Sequence, residues 1–80
     1  MCLGIPGRVV KKISEGEAVI DFGGVKRVVD ILLVPNVEEG DYVVVHAGAV
    51  ISKIDEETFM SMMSIFNELA RELSGEREED

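Results

Sequence analysis

The chain has little of what most small proteins use to hold themselves together or to bind broadly. One cysteine, Cys2, stands among 80 residues, so an internal disulfide and an all-cysteine zinc cage within one chain are both excluded. That economy suits a reducing, cytoplasmic setting. Tryptophan is absent, and three Phe and one Tyr are the only aromatics, too few for a base-stacking platform. There is one histidine, His46, and only two prolines. No apolar run approaches a membrane span, and the start lacks the basic-then-apolar order of a signal peptide. There is no phosphate-cradling loop, because Gly23-Gly24 is not followed by the lysine and helix start that such a loop needs. Nucleophile elbows and carboxylate pairs in apolar settings are likewise missing.

Cations are scarce as well: eight against sixteen acids, for a net charge of −8. They are unevenly placed. Residues 1–54 carry six basic and seven acidic groups, whereas 55–80 carry two and nine. An acidic chain is repelled by phosphate backbones, which argues against a nucleic-acid role.

What is present reads as one small domain over 1–75, mainly β, followed by a charged, disordered tail at 76–80. The hydrophobic fraction of 46% is enough for a core. GRVVKKIS and EAVIDF are β-branched runs separated by turn residues. DFGGVKRVVDI places two glycines where a tight hairpin needs positive φ. ILLVP is a short strand-like run stopped by Pro35, and DYVVVHAGAVISKI holds two strands with a bulge or bend at Gly48. Five or six short strands in about fifty residues predict a small closed or nearly closed barrel.

From about 55 to 74 the period changes to that of a helix. Asp55 is its cap, and Glu56 and Glu57 suit its positive end. Phe59, Met62, Met63, Phe66, Leu69, Ala70 and Leu73 share a face, which is predicted to close one side of the barrel through Phe59, Phe66 and Leu69. Gly75 is the expected stop. Met60 lies off that face, as an adaptable contact for a partner protein.

Two residues carry soft or intermediate donors. Free cysteine is most often a small buried apolar residue, but a chain end is usually exposed. If Met1 is removed, the Cys2 thiol and the α-amino group sit together. A nearby Arg8 would favour the thiolate if the fold brings it close. The residues alone leave both readings open. His46, in a strand, reads by default as a histidine satisfied by a backbone carbonyl. Proximity to Cys2 is what would make the two a site.

MCLGIPGRV at residues 1–9 and GDYVVVHAG at residues 40–48 resemble the two motifs of the HypC/HupF family of hydrogenase maturation chaperones. The resemblance extends over nearly the whole chain. One departure follows the second motif, where members often carry an aromatic and then alanine and this chain has Ala49 and Val50. The resemblance implies an OB-like barrel with a C-terminal helix. It implies work on the iron centre of nickel–iron hydrogenases, with no enzymatic turnover. The implied partners are the iron–sulfur scaffold HypD and the immature large subunit. The implied cargo is iron carrying two cyanides and one carbon monoxide. The family's iron-binding cysteine maps onto Cys2, and the histidine implicated beside it maps onto His46. Leu3, Gly4, Ile5, Pro6, Gly7 and Arg8, with Met60, are then the expected partner contacts. In this reading Gly4, Pro6 and Gly7 aim the thiol outward. Two rivals remain: an OB-like nucleic-acid module, and a small thiol enzyme pairing Cys2 with His46.

Overall fold

A computed structural model describes residues 4–78, without the side chains of Ala70 and 73–78. Five strands close into a barrel in the order β1-β2-β3-β5-β4. They are β1 (Ile5–Lys12), β2 (Glu17–Asp21), β3 (Lys26–Asp30), β4 (Tyr42–His46) and β5 (Ala49–Ile54), followed by the helix α1 (Glu56–Glu78). All pairings are antiparallel except β3 with β5, which share a single parallel pair, Asp30 with Ala49. The expected small OB-like barrel with a C-terminal helix is what forms.

The interior is almost wholly aliphatic. Val9, Ala18, Ile20, Val29, Ile31, Val37, Val43, Val45 and Val50 form one buried cluster, with Phe22 and Val34 packed against it. Alternation along the strands puts these side chains inside, and β-branched residues fit the pleated wall.

The Gly23-Gly24 hairpin forms as the sequence predicts. Both glycines have positive φ, 93° and 110°, and both backbone N–H groups donate to Asp21 Oδ1, at 3.0 and 2.7 Å. Gly48 is not a bulge. With Ala47 it makes the two-residue turn between β4 and β5, at φ 82° and 56°. The bulges lie elsewhere. Val10 has no partner between the pairs Val9–Ile20 and Lys11–Val19, nor has Ile51 between Val44–Ser52 and Val45–Val50. Each extra residue turns an apolar side chain outward and tightens the local twist, which helps five short strands close.

ILLVP is not a strand. Leu32 N–H donates to Asp30 Oδ1 at 2.6 Å, and successive turns run from Ile31 to Val34 and from Val34 to Val37. The inward residues therefore recur every third position rather than every second. Ile31 and Val37 are buried, while Leu32 and Leu33 are 68% and 72% exposed.

The helix begins as expected. Asp55 accepts the Thr58 N–H at 2.7 Å through its side chain and the Phe59 N–H at 2.9 Å through its carbonyl. Its docking is shorter than expected. Phe59, Met62 and Met63 are half-buried, and the helix leans on β1 and β4. Phe66 and Leu69 are 36% and 49% exposed, so they do not seal the barrel. The aliphatic interior is already closed by strands and the 31–37 loop, leaving room for only the first two turns. The helix also runs through Gly75 to Glu78. A single interior glycine costs a helix only about 1 kcal/mol, and Glu76, Arg77 and Glu78 are good helix formers. The molecule is accordingly elongated, 48 × 23 × 21 Å.

Candidate functional site

The opening motif enters the barrel as β1. Ile5 pairs with Val45, Pro6 with Val44 and Gly7 with Val43. Continuing that antiparallel register by one residue sets Gly4 opposite His46. The two family-like motifs therefore lie on adjacent strands, and Gly4, two residues after Cys2 in sequence, sits beside the last residue of β4. Cys2 and Leu3 themselves lie outside the described residues.

Each remaining motif residue has a distinct surrounding. Pro6 and Gly7 are buried and do not face outward. A Cβ on Gly7 would meet Ile20 Cγ2 at 2.5 Å and the Phe22 ring at 3.1 Å. A Cβ on Gly4 would collide with Val44 Cγ1 and come within 3.2 Å of Val45 O. The close approach these glycines permit is thus to the protein's own strands. Ile5 is 51% exposed, and His46 is also exposed at the end of β4.

Arg8 makes a contact that the sequence did not foreshadow. Its guanidinium lies over the Tyr42 ring, 5.6 Å from the centroid, and Tyr42 stacks on Phe59 at 4.3 Å with the planes 30° apart. Cation–π and offset-stacked pairs of this kind each contribute on the order of 1 kcal/mol. The chain Arg8–Tyr42–Phe59 joins the opening motif, the second motif and the helix start. It also engages two of the four aromatics internally, and Phe22 packs against the core. A nucleic-acid stacking surface would need those rings free.

Met60 is 58% exposed, in keeping with its expected position off the docked face. On another side of α1, Ile65, Phe66 and Leu69 are exposed; helical spacing disclosed the face of Phe66 and Leu69, but the expected docking concealed its exposure. Among the described residues, no group of three or more His, Cys, Asp or Glu side chains converges as a metal cage. Nor is any helix among the described residues long and apolar enough to cross a membrane.

A family model described as HupF/HypC matches residues 1–66. The chain belongs to the HupF/HypC family. Curated relatives agree. It is 39% identical over 71 residues to the hydrogenase maturation factor HypC of Cupriavidus necator, covering 89% of this chain and 79% of that one. It is 38% identical over 80 residues to the HypC of Helicobacter hepaticus, covering 99% and 93%. The HypC of Escherichia coli K12 is 32% identical, with 84% of each chain covered. The match spans the barrel and the docked part of the helix, so it covers the opening motif, His46 and the Arg8–Tyr42–Phe59 stack together.

Proposed function

We propose that this chain is a hydrogenase maturation chaperone that carries iron bearing cyanide and carbon monoxide. It works with a HypD-like iron–sulfur scaffold and delivers the iron unit to the immature large subunit of a nickel–iron hydrogenase. It catalyses no turnover of its own. Family membership supports the general role, and the observation that supports the site is the β1–β4 register, which, continued by one residue, sets Gly4, two residues after Cys2 in sequence, opposite His46.

The chemistry follows from the donors. A thiolate is a strong ligand for low-spin ferrous iron, and an imidazole is an intermediate one. A closed four-ligand cage holds metal permanently, whereas one or two protein ligands leave positions for cargo ligands and permit exchange. Handover is then a ligand exchange: the Cys2 sulfur leaves iron as a receiving thiolate binds, with no change in oxidation state. His46 supports the loaded state from the neighbouring strand. Exposed Met60 on one side of α1, and Ile65, Phe66 and Leu69 on another, offer the partners adaptable apolar contacts.

The test is copurification with the scaffold, reading the infrared bands of iron-bound cyanide and carbon monoxide. Cys2→Ser should lose the bands while keeping the parent's circular dichroism, because a neutral hydroxyl is a far poorer ligand. His46→Ala should fold normally and load less cargo. Full bands in Cys2→Ser would end this assignment.

A further inference from the structure

One seam of the barrel is only partly closed. β3 meets β5 at a single pair, Asp30 with Ala49, where Asp30 N–H donates to Gly48 O at 2.9 Å. Beyond that pair the 31–37 loop fills the seam. Before it, β5 has not begun, so Lys26–Val29 run past the Ala47-Gly48 turn.

The hairpin fixes which backbone groups face the gap. Phe22 N–H donates to Val25 O at 2.8 Å, and Ile31 N–H to Gly16 O at 2.9 Å. In an antiparallel ladder alternate residues bond the same neighbour, so Val25, Arg27, Val29 and Ile31 turn their groups to β2. Lys26 and Val28 turn theirs the other way. Among the described residues, no backbone group pairs with them there.

Beside this edge lies a groove of about 450 Å³, lined mainly by apolar side chains: Ile5, Phe22, Val29 and Val45, with Gly48 at one end and Arg27 at the rim. Val28, 56% exposed, and Ala47 line it as well. A bare strand edge invites pairing, and sheet proteins usually block such edges. Strand addition uses this combination: main-chain bonds give affinity, and a pocket for alternate side chains gives selectivity. The Arg27 cation among the lining residues favours a carboxylate on the incoming segment.

We infer that the Lys26–Val28 edge of β3 receives an extended segment of the client polypeptide, with an apolar side chain in the groove and an acidic residue at Arg27. The inference rests on the proposed function for the identity of the client, an unfinished large subunit whose segments are not yet paired in its own fold. Ile5 borders the groove three residues after Cys2, so a segment held there lies beside the start of the strand that follows the iron-carrying residue.

Amide hydrogen exchange on the full chain tests this with two probes. One is a short synthetic peptide of alternating valine and threonine with one aspartate. The other is a set of overlapping peptides spanning the immature large subunit made in the same cells. The Lys26 and Val28 amides should become protected with the first probe and with at least one peptide of the second. Val28→Pro removes the outward donor and no bond to β2, and Arg27→Glu reverses the rim charge. Each should weaken binding about tenfold, the equivalent of one hydrogen bond, while Val28→Thr should not. Should Val28→Pro fail to fold, Arg27→Glu and the amide protection carry the test. No protection with either probe overturns the inference, as does protection that rises with protein concentration alone, which would mark a second copy. Protection by the valine–threonine peptide but by no client peptide overturns the proposed occupant, and leaves iron carriage through Cys2 to be decided by its infrared bands.

Discussion

Gly7→Ala separates a structural from a functional account of the opening motif. Gly7 is not among the residues with positive φ, so its backbone accepts alanine without strain. Space forbids it. The new methyl would sit 2.5 Å from Ile20 Cγ2 and 3.1 Å from two atoms of the Phe22 ring. Ile20 is fully buried and cannot swing away, so β1 must shift or Ile20 must leave its rotamer. Overpacking of this kind costs about 1–3 kcal/mol. In so small a domain that corresponds to a fall in Tm of roughly 5–20 °C. Urea unfolding followed by circular dichroism measures it, and Ile20→Ala supplies the control. The Ile20→Ala change alone should cost about 2–5 kcal/mol, and the double variant should be more stable than the sum of the two singles by about 1 kcal/mol. A Gly7→Ala protein that unfolds with its parent but carries less iron would refute the packing argument. The motif glycine would then serve the partner, as the sequence alone suggested.

Three further outcomes are expected. Phe59→Ala should cost about 2 kcal/mol and release the helix start from Tyr42, whereas Phe66→Ala should cost under about 1 kcal/mol; a calorimetric scan of both variants checks the order. Hydrogen bonds from the Thr58 side chain and backbone hold the Asp55 carboxyl below its ordinary value of 3.8. That cap's stabilisation is therefore complete above pH 3.8, falls away below it, and vanishes beneath the folded-state value, so the stability gap between the parent and Asp55→Ala should close on acidification. Ala47 holds φ at 56°, which strains a residue with a Cβ, so Ala47→Gly should raise the urea midpoint by the equivalent of about 1 kcal/mol; a lowered midpoint would show that the turn carries no strain.

The strands were legible because period-two alternation and paired glycines are local signals. Gly23-Gly24 announced its hairpin, and Asp55 announced its cap, since a turn and a cap are settled by the residues that make them. Features fixed by distant partners were not legible. The run ILLVP reads as a strand until Asp30 is seen to bond Leu32 N–H and the inward spacing becomes three. The bulges at Val10 and Ile51 leave no mark, because any residue can be the extra one. Arg8 reads as a neighbour of Cys2 by sequence distance, yet the strand pairing that sets it opposite Tyr42 gives it a ring to lie over. Helical periodicity correctly identified an apolar face on α1, but it cannot say how much of that face the barrel has room to cover.

That last point bears on how the proposed carrier would work. A domain of 80 residues has little stability to spare, and burying Phe66 and Leu69 would have added to it. Instead they stay exposed on a net-acidic helix whose first turns alone are anchored. The barrel has the opposite character: near-neutral charge, an aliphatic core, and a first strand held in register with β4. In the proposed function, contact with a partner through the exposed apolar side chains of α1 and a grip on cargo through Cys2 and His46 would be borne by different elements. The two meet at Arg8–Tyr42–Phe59, where β1 carries the cation, β4 the first ring and α1 the second. A partner that draws on the helix pulls on Phe59, and Phe59 leans on the same strand that ends in His46. Arg8→Ala should therefore weaken scaffold binding and loosen helix docking together, while the barrel's core amides keep their exchange rates. If docking and core protection fall in step, the stack is only part of the fold, and the two elements are not joined through it.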